Sequence, residues 1–293
     1  MTVRRPNLLA RPAVRLGLFA VGAVASIALS TFLTGMALGL TGQASQILGV
    51  VLTNAVLCTL LIVLSRILLH SEGATLHVLG LVPNRQRFRE LAFGFAVSTT
   101  LFLLVAVAQS ASVGAPWEFQ GMLGVRAALG GLAITVIFVL AEELLFRGVA
   151  LRNLCALYGE RSGVVASAVL FGAYHLVQSG DWAMGAVFRF LMPALGGLLF
   201  GWAALRSKGL ALPLGLHLGG NWVQASLVGF AATDTGVHGP LHALWRIPIT
   251  SADANAITAP DLLPHLPYAM ALALASIATW RWLIHAKSLR DVA

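Results

Sequence analysis

Apolar runs of bilayer length recur from one end of this chain to the other. A helix of about 20 apolar residues matches the hydrocarbon thickness of a membrane, and inside that layer the backbone must satisfy its own polar groups. The runs at 16–40, 44–69, 91–108, 127–151, 163–177, 182–205, 210–231 and 266–285 predict an all-α polytopic membrane bundle of about eight transmembrane helices. Composition agrees. Of 293 residues 58% are hydrophobic and only 10% charged, too few charges to cover a soluble globule, and mean hydropathy is +0.85.

The formal net charge of +8 raises nucleic acid as a partner. The basic residues, however, lie in short groups between apolar runs and form no single stripe, so a nucleic-acid surface is not expected and the lipid bilayer is. The groups fall at Arg4, Arg5, Arg11 and Arg15, at Arg85, Arg87 and Arg89, at Arg152 and Arg161, at Arg206 and Lys208, and at Lys287 and Arg290. They occupy alternate connections, which by the positive-inside rule predicts both termini on the cytoplasmic side. Arg4 and Arg5 before an apolar stretch, with Ala23-Val24-Ala25 beyond, resemble a secretory signal. The stretch continues to residue 40 and more follow, so it is read as the first span. Cys58 and Cys155 have no CxxC spacing, and neither a disulfide framework nor a zinc site follows from them.

Within the fourth run stands Ala141-Glu142-Glu143-Leu144-Leu145-Phe146-Arg147. Each charge at membrane depth costs roughly 2.5–3.5 kcal/mol on the most lenient scale, so three together need partners, a wet cavity or a function. Glu143 and Arg147 are spaced i, i+4 with the acid N-terminal, the favourable order for an ion pair. Glu142 lies about 100° further round the helix, over Phe146, and has no local cation. It is the candidate general base.

Two later runs carry polar residues at depth. Phe171-Gly172-Ala173-Tyr174-His175 lies in the fifth, and His217-Leu218-Gly219-Gly220-Asn221 in the seventh, with His217 and Asn221 on one face. An intramembrane histidine taken alone is as well explained by an interhelical hydrogen bond. Counting from the expected cytoplasmic ends, Glu142 and His217 both fall roughly 10–15 Å deep and are able to meet, whereas His175 falls nearer about 20 Å unless its helix tilts or starts later. Pro213, Gly219 and Gly220 permit close approach or local unwinding beside these residues. Residues 232–264 are polar and turn-rich and read as a loop.

EExxxR, FxxxH and HxxxN, in that order and in successive apolar spans, resemble the motif set of the CPBP family of intramembrane proteases. That family includes the type II CAAX prenyl endopeptidases and bacterial proteins linked to bacteriocin self-immunity. The resemblance covers roughly 126–231, with every motif position present, and divides the chain into an N-terminal transmembrane region (1–120), a catalytic core (121–232) and a loop with a last span (233–293). It implies an endopeptidase acting on a membrane-associated peptide or protein substrate in the bacterial inner membrane. It further implies that Glu142 and His175 activate a water and that His217 and Asn221 stabilise the oxyanion, with Glu143 and Arg147 in support. No cofactor is implied. Zinc held by Glu142, His175 and His217 is the rival within the enzyme class, although no HExxH is present. Outside that class stand a non-proteolytic immunity or scaffolding role and a proton-coupled transporter, the latter weakened by the lack of an internal repeat.

Overall fold

The computed structural model describes residues 11–41, 46–114, 116–179, 186–230, 243–247 and 266–291. Among them eight α-helices follow in order: α1 Pro12–Thr41, α2 Gln46–His70, α3 Arg85–Val113, α4 Gly121–Phe146, α5 Val149–Ser179, α6 Ala186–Ser207, α7 Ala211–Trp222 and α8 Leu266–Asp291. Among the described residues five segments are long and apolar enough to cross a membrane: Pro12–Leu40, Ile47–His70, Arg85–Ala111, Gly121–Gln178, which takes in α4 and nearly all of α5, and Arg189–Ser207. Large apolar side chains such as Val21, Phe32, Ile67 and Leu104 point outward from these helices, as hydrocarbon rather than water requires of an exterior. This is the architecture of an integral membrane helical bundle.

Four sequence expectations are corrected. The fourth span does not run to residue 151: α4 stops at Phe146, where Arg147 caps it, and the chain restarts as α5 at Val149. Residues 152–161 are not a polar link but helix, broken at Gly159, whose φ of 79° lies where L side chains are disfavoured. The break folds the chain so sharply that a Cβ on Gly163 would lie 2.7 Å from the Cys155 backbone nitrogen. The seventh span is not one long helix: α7 has 12 residues, then five in a π-helical turn, Val223–Leu227, and then a strand. The loop read over 232–264 contains a strand at Trp245–Ile247, and the rest of that loop up to 242 and from 248 lies outside the described residues.

The strands give the helical bundle a small sheet. In chain order they are β1 Glu118–Phe119, β2 Val228–Phe230 and β3 Trp245–Ile247. β3 is central, antiparallel to β1 with Glu118 opposite Arg246, and parallel to β2 with Gly229 opposite Arg246. The sheet seals the end of α7 against the start of α4, with Leu244 donating to the Ser226 carbonyl at 3.0 Å and Gln120 donating to Leu244 at 3.0 Å.

Small residues decide how closely α7 approaches α3. A Cβ on Gly219 would sit 2.6 Å from the Phe95 carbonyl oxygen, and one on Gly94 2.6 Å from that of Leu212, while Gly215 lies against the Leu91 carbonyl. Between membrane helices, where lipid is as apolar as leucine, such close backbone approach is a main source of association. At its N-terminal end α7 is held by backbone and side-chain bonds together. Leu210 donates to the Leu79 carbonyl at 2.9 Å, and Arg87 of α3 donates to the carbonyls of Ser207 and Lys208 at 2.6 and 3.1 Å. Two buried clusters flank this seam, one of Phe19, Leu57, Leu61, Leu69 and Leu144, the other of Phe102, Phe171, Phe200, Leu216 and Ile247.

Among the tryptophans, Trp202 is buried in a third cluster and Trp222 donates to the Ala128 carbonyl at 2.8 Å. Trp280 and Trp282 each carry an arginine, Arg161 and Arg206, over the ring. Trp182 lies outside the described residues.

Candidate active site

The end of α4 builds the first wall. Arg147 N–H donates to the Glu143 carbonyl at 2.9 Å and Gly148 N–H to the same oxygen at 3.0 Å, closing the helix. The orphaned Phe146 carbonyl accepts from Ser167 Oγ of α5 at 3.0 Å, so the next helix completes the cap. α5 then lies against α6 through small residues: a Cβ on Gly172 would be 2.6 Å from the Phe190 carbonyl oxygen, and one on Gly197 2.9 Å from Ala168 Cα.

Three helices therefore deliver Glu142, His175 and His217 to one place. Glu142 Oε1 is 3.8 Å from His175 Nε2, and Glu142 Oε2 is 3.3 Å from His217 Nε2. The depth mismatch anticipated for His175 disappears because α5 is longer than the run that suggested it. His175 Nδ1 is 2.9 Å from the Phe171 carbonyl. A carbonyl only accepts, so Nδ1 carries a proton, and Nε2 is the ring nitrogen that faces Glu142. His217 Nδ1 is 2.9 Å from Glu143 Oε1 and donates to that carboxylate in the same way.

The two acids thus have different surroundings. The Glu143 and Arg147 side chains are both 0% exposed, with Arg147 Nη1 3.2 Å from Glu143 Oε1. The guanidinium is roofed by aromatic rings, its Cζ 4.1 Å from the Phe171 centroid, 5.2 Å from Phe200 and 5.7 Å from Phe146. Enclosed in this way, the Arg147 side chain has no contact with solvent. Glu142 has a side chain 14% exposed beside a His175 that is 29% exposed, and its Oε2 is a buried oxygen with no aligned hydrogen-bond donor despite the proximity of His217. One carboxylate is sealed from solvent and committed through Oε1 to an ion pair and a histidine, and the other stays partly open beside His175.

Asn221 is half-buried one turn beyond His217 on α7, and its side chain makes no hydrogen bond to any described residue. Sequence reading missed two participants. Phe200 of α6 stacks on His217, with centroids 4.4 Å apart and planes at 19°, and Phe171 does more than mark a motif, since it touches His175, His217 and Arg147. Nothing in the local sequence distinguishes Phe200 from any lipid-facing aromatic. The bond from His217 to Glu143 was likewise invisible, being a contact between helices 74 positions apart.

As for zinc, among the described residues no group of three or more His, Cys, Asp or Glu side chains comes together so as to hold a metal ion.

Comparison with known families matches residues 124–223 to the Rce1-like model, described as type II CAAX prenyl endopeptidase Rce1-like. Comparison with curated proteins and with solved structures gave no significant match. The matched segment runs from the start of α4 past the end of α7 and includes Glu142, Glu143, Arg147, His175, His217 and Asn221. The motifs that resemble the CPBP proteases and the segment similar to the Rce1-like type II CAAX prenyl endopeptidase model fall on the same helices.

Proposed function

We propose that this protein is an intramembrane endopeptidase that hydrolyses a peptide bond of a membrane-associated protein by a glutamate-activated water. The observation that carries the reading is the contrast between the two acids: Glu143 is wholly buried with Oε1 held by Arg147 and His217, whereas Glu142 is partly exposed and faces two histidine Nε2 atoms at 3.8 and 3.3 Å. A water between Glu142 and His175 gives one proton to the Glu142 carboxylate as its oxygen attacks the substrate carbonyl carbon. The C=O electron pair moves onto the carbonyl oxygen. Asn221 Nδ2–H and His217 Nε2–H stabilise that oxyanion. For Nε2 to donate while Nδ1 donates to Glu143, the His217 ring carries both protons, and the Glu143 carboxylate is placed to hold the resulting charge. Collapse breaks the C–N bond, the Glu142 proton passes to the departing nitrogen, and the products are a carboxylic acid and an amine, which ionise to a carboxylate and an ammonium as the acid's proton moves to the amine. His217 and Asn221 act by position on α7, which the Gly94, Gly215 and Gly219 seam holds against α3.

The same proposal places the chain in a bacterial inner membrane with about eight crossings and both termini on the cytoplasmic side, where the basic connections lie. It requires no metal. The test is quantitative terminal proteomics on membranes from cells carrying the native protein or Glu142→Ala at matched abundance. New protein termini that depend on Glu142 are the expected result and name the substrate. If no such termini form while the Glu142→Ala protein still restores the deletion phenotype, the protease reading fails and a binding role, as in immunity or scaffolding, replaces it.

A further inference from the structure

Away from the three motifs, at the end of the bundle where α3 begins and α6 ends, lies a pocket of about 190 Å³ lined by Arg89, Glu90, Phe93, Arg206, Leu212 and Trp282. Its electrostatics are one-sided. Glu90 is occupied, with Oε2 held by Arg87 at 2.7 Å and Oε1 accepting from Gln86 at 2.9 Å. Arg89 and Arg206 have no carboxylate partner among the described residues. The hydroxyl of Ser207, which also lines the pocket, is spent on the Ala203 and Gly209 carbonyls.

Arg206 supplies the second observation. Its Cζ rests 4.0 Å from the Trp282 ring centroid, and its Nε is buried without any hydrogen-bond partner. A buried guanidinium N–H left unmatched is costly, and an anionic oxygen is the group that matches it. The walls say which kind of anion. Phe93 is 56% exposed and Trp282 45% exposed at the pocket's rim, so a charged cavity opens directly onto an apolar outer surface. A free anion has no use for that rim, whereas a phosphodiester carrying acyl chains fits both parts.

We propose that this pocket binds the headgroup of an anionic glycerophospholipid, its phosphate engaged by Arg89 and Arg206 and its chains lying along Phe93 and Trp282. The site does not depend on the proteolytic reading. The experiment is native mass spectrometry of the full chain in detergent, titrated with phosphatidylglycerol or phosphatidylcholine. The wild type is expected to retain phosphatidylglycerol in preference by about thirtyfold, the gain that two arginines near an anionic headgroup supply. In Arg89→Gln/Arg206→Gln that preference disappears while melting in phosphatidylcholine is unchanged. Should the double variant fail to fold, Arg206→Lys decides, because it keeps the charge but has no Nε–H and is expected to lose several-fold of the preference. An unchanged preference in whichever variant folds overturns the proposal. Complete displacement of lipid by millimolar inorganic phosphate also overturns it, in favour of a small-anion site. Displacement by a peptide with a free C-terminal carboxylate, but not by phosphate, assigns the pocket to a protein ligand instead.

Discussion

Arg147 and Glu143 form an ion pair with no access to solvent, and the structure says what removing either half will do. In Arg147→Met the side chain keeps its packing against Phe146, Phe171 and Phe200, since a thioether also sits well against aromatic rings. What is lost is the cation 3.2 Å from Glu143, and the carboxylate is left buried with only His217 beside it. Breaking a buried pair this way costs about 3–5 kcal/mol. In Glu143→Gln the amide oxygen still accepts from His217 Nδ1, so the loss isolates the charge and leaves Arg147 uncompensated. The double variant has neither stranded ion. Its destabilisation is therefore expected to fall short of the sum of the singles by about 2–3 kcal/mol. Reversible unfolding in mixed micelles, followed by the helical circular dichroism signal, measures all four proteins without needing a substrate. Single losses that add to the double within about 0.5 kcal/mol refute the argument, because they show that the two charges do not depend on each other.

Three further outcomes follow from the same geometry. Gly219→Ala puts a Cβ 2.6 Å from the Phe95 carbonyl oxygen, so α7 must move about 0.8 Å to restore ordinary contact at 3.4 Å; with catalytic groups misplaced by that much, Glu142-dependent cleavage should fall by on the order of a hundredfold, and unaltered cleavage contradicts the seam's role. Asn221→Ala removes a proposed oxyanion donor that holds nothing else in place among the described residues, so turnover should drop by about 10²–10³ with melting temperature unchanged. Treatment with a strong chelator, checked against Glu142-dependent cleavage, should leave the rate intact; loss of activity restored by zinc would replace the water-only route with a metal-assisted one.

The apolar helical character of the chain and the identity of its polar core were legible in one dimension because both depend on local pattern. A run such as 16–40 has no stable option in water or lipid other than a helix, and EExxxR states its own i, i+4 pairing. Boundaries were less legible. α4 ends at Phe146 although the apolar run continues to residue 151, because Ser167 from α5 satisfies the Phe146 carbonyl and Gly148 lets the chain turn. α7 is shorter than its run because β3, drawn from a segment read as loop, pairs with β2 and seals that end.

What the sequence by itself determined, then, is an integral membrane bundle with two acids, an arginine, two histidines and an asparagine in three apolar helices, since composition and spacing act within a helix. The tertiary structure decided the division of labour among them. Only when α7 is drawn against α3 by glycines, and α5 against α6, does His217 reach Glu143 with one nitrogen and Glu142 with the other, leaving His175 to face Glu142 from the opposite helix. Those contacts depend on how closely helices approach, and hydropathy and motif spacing carry no record of that distance.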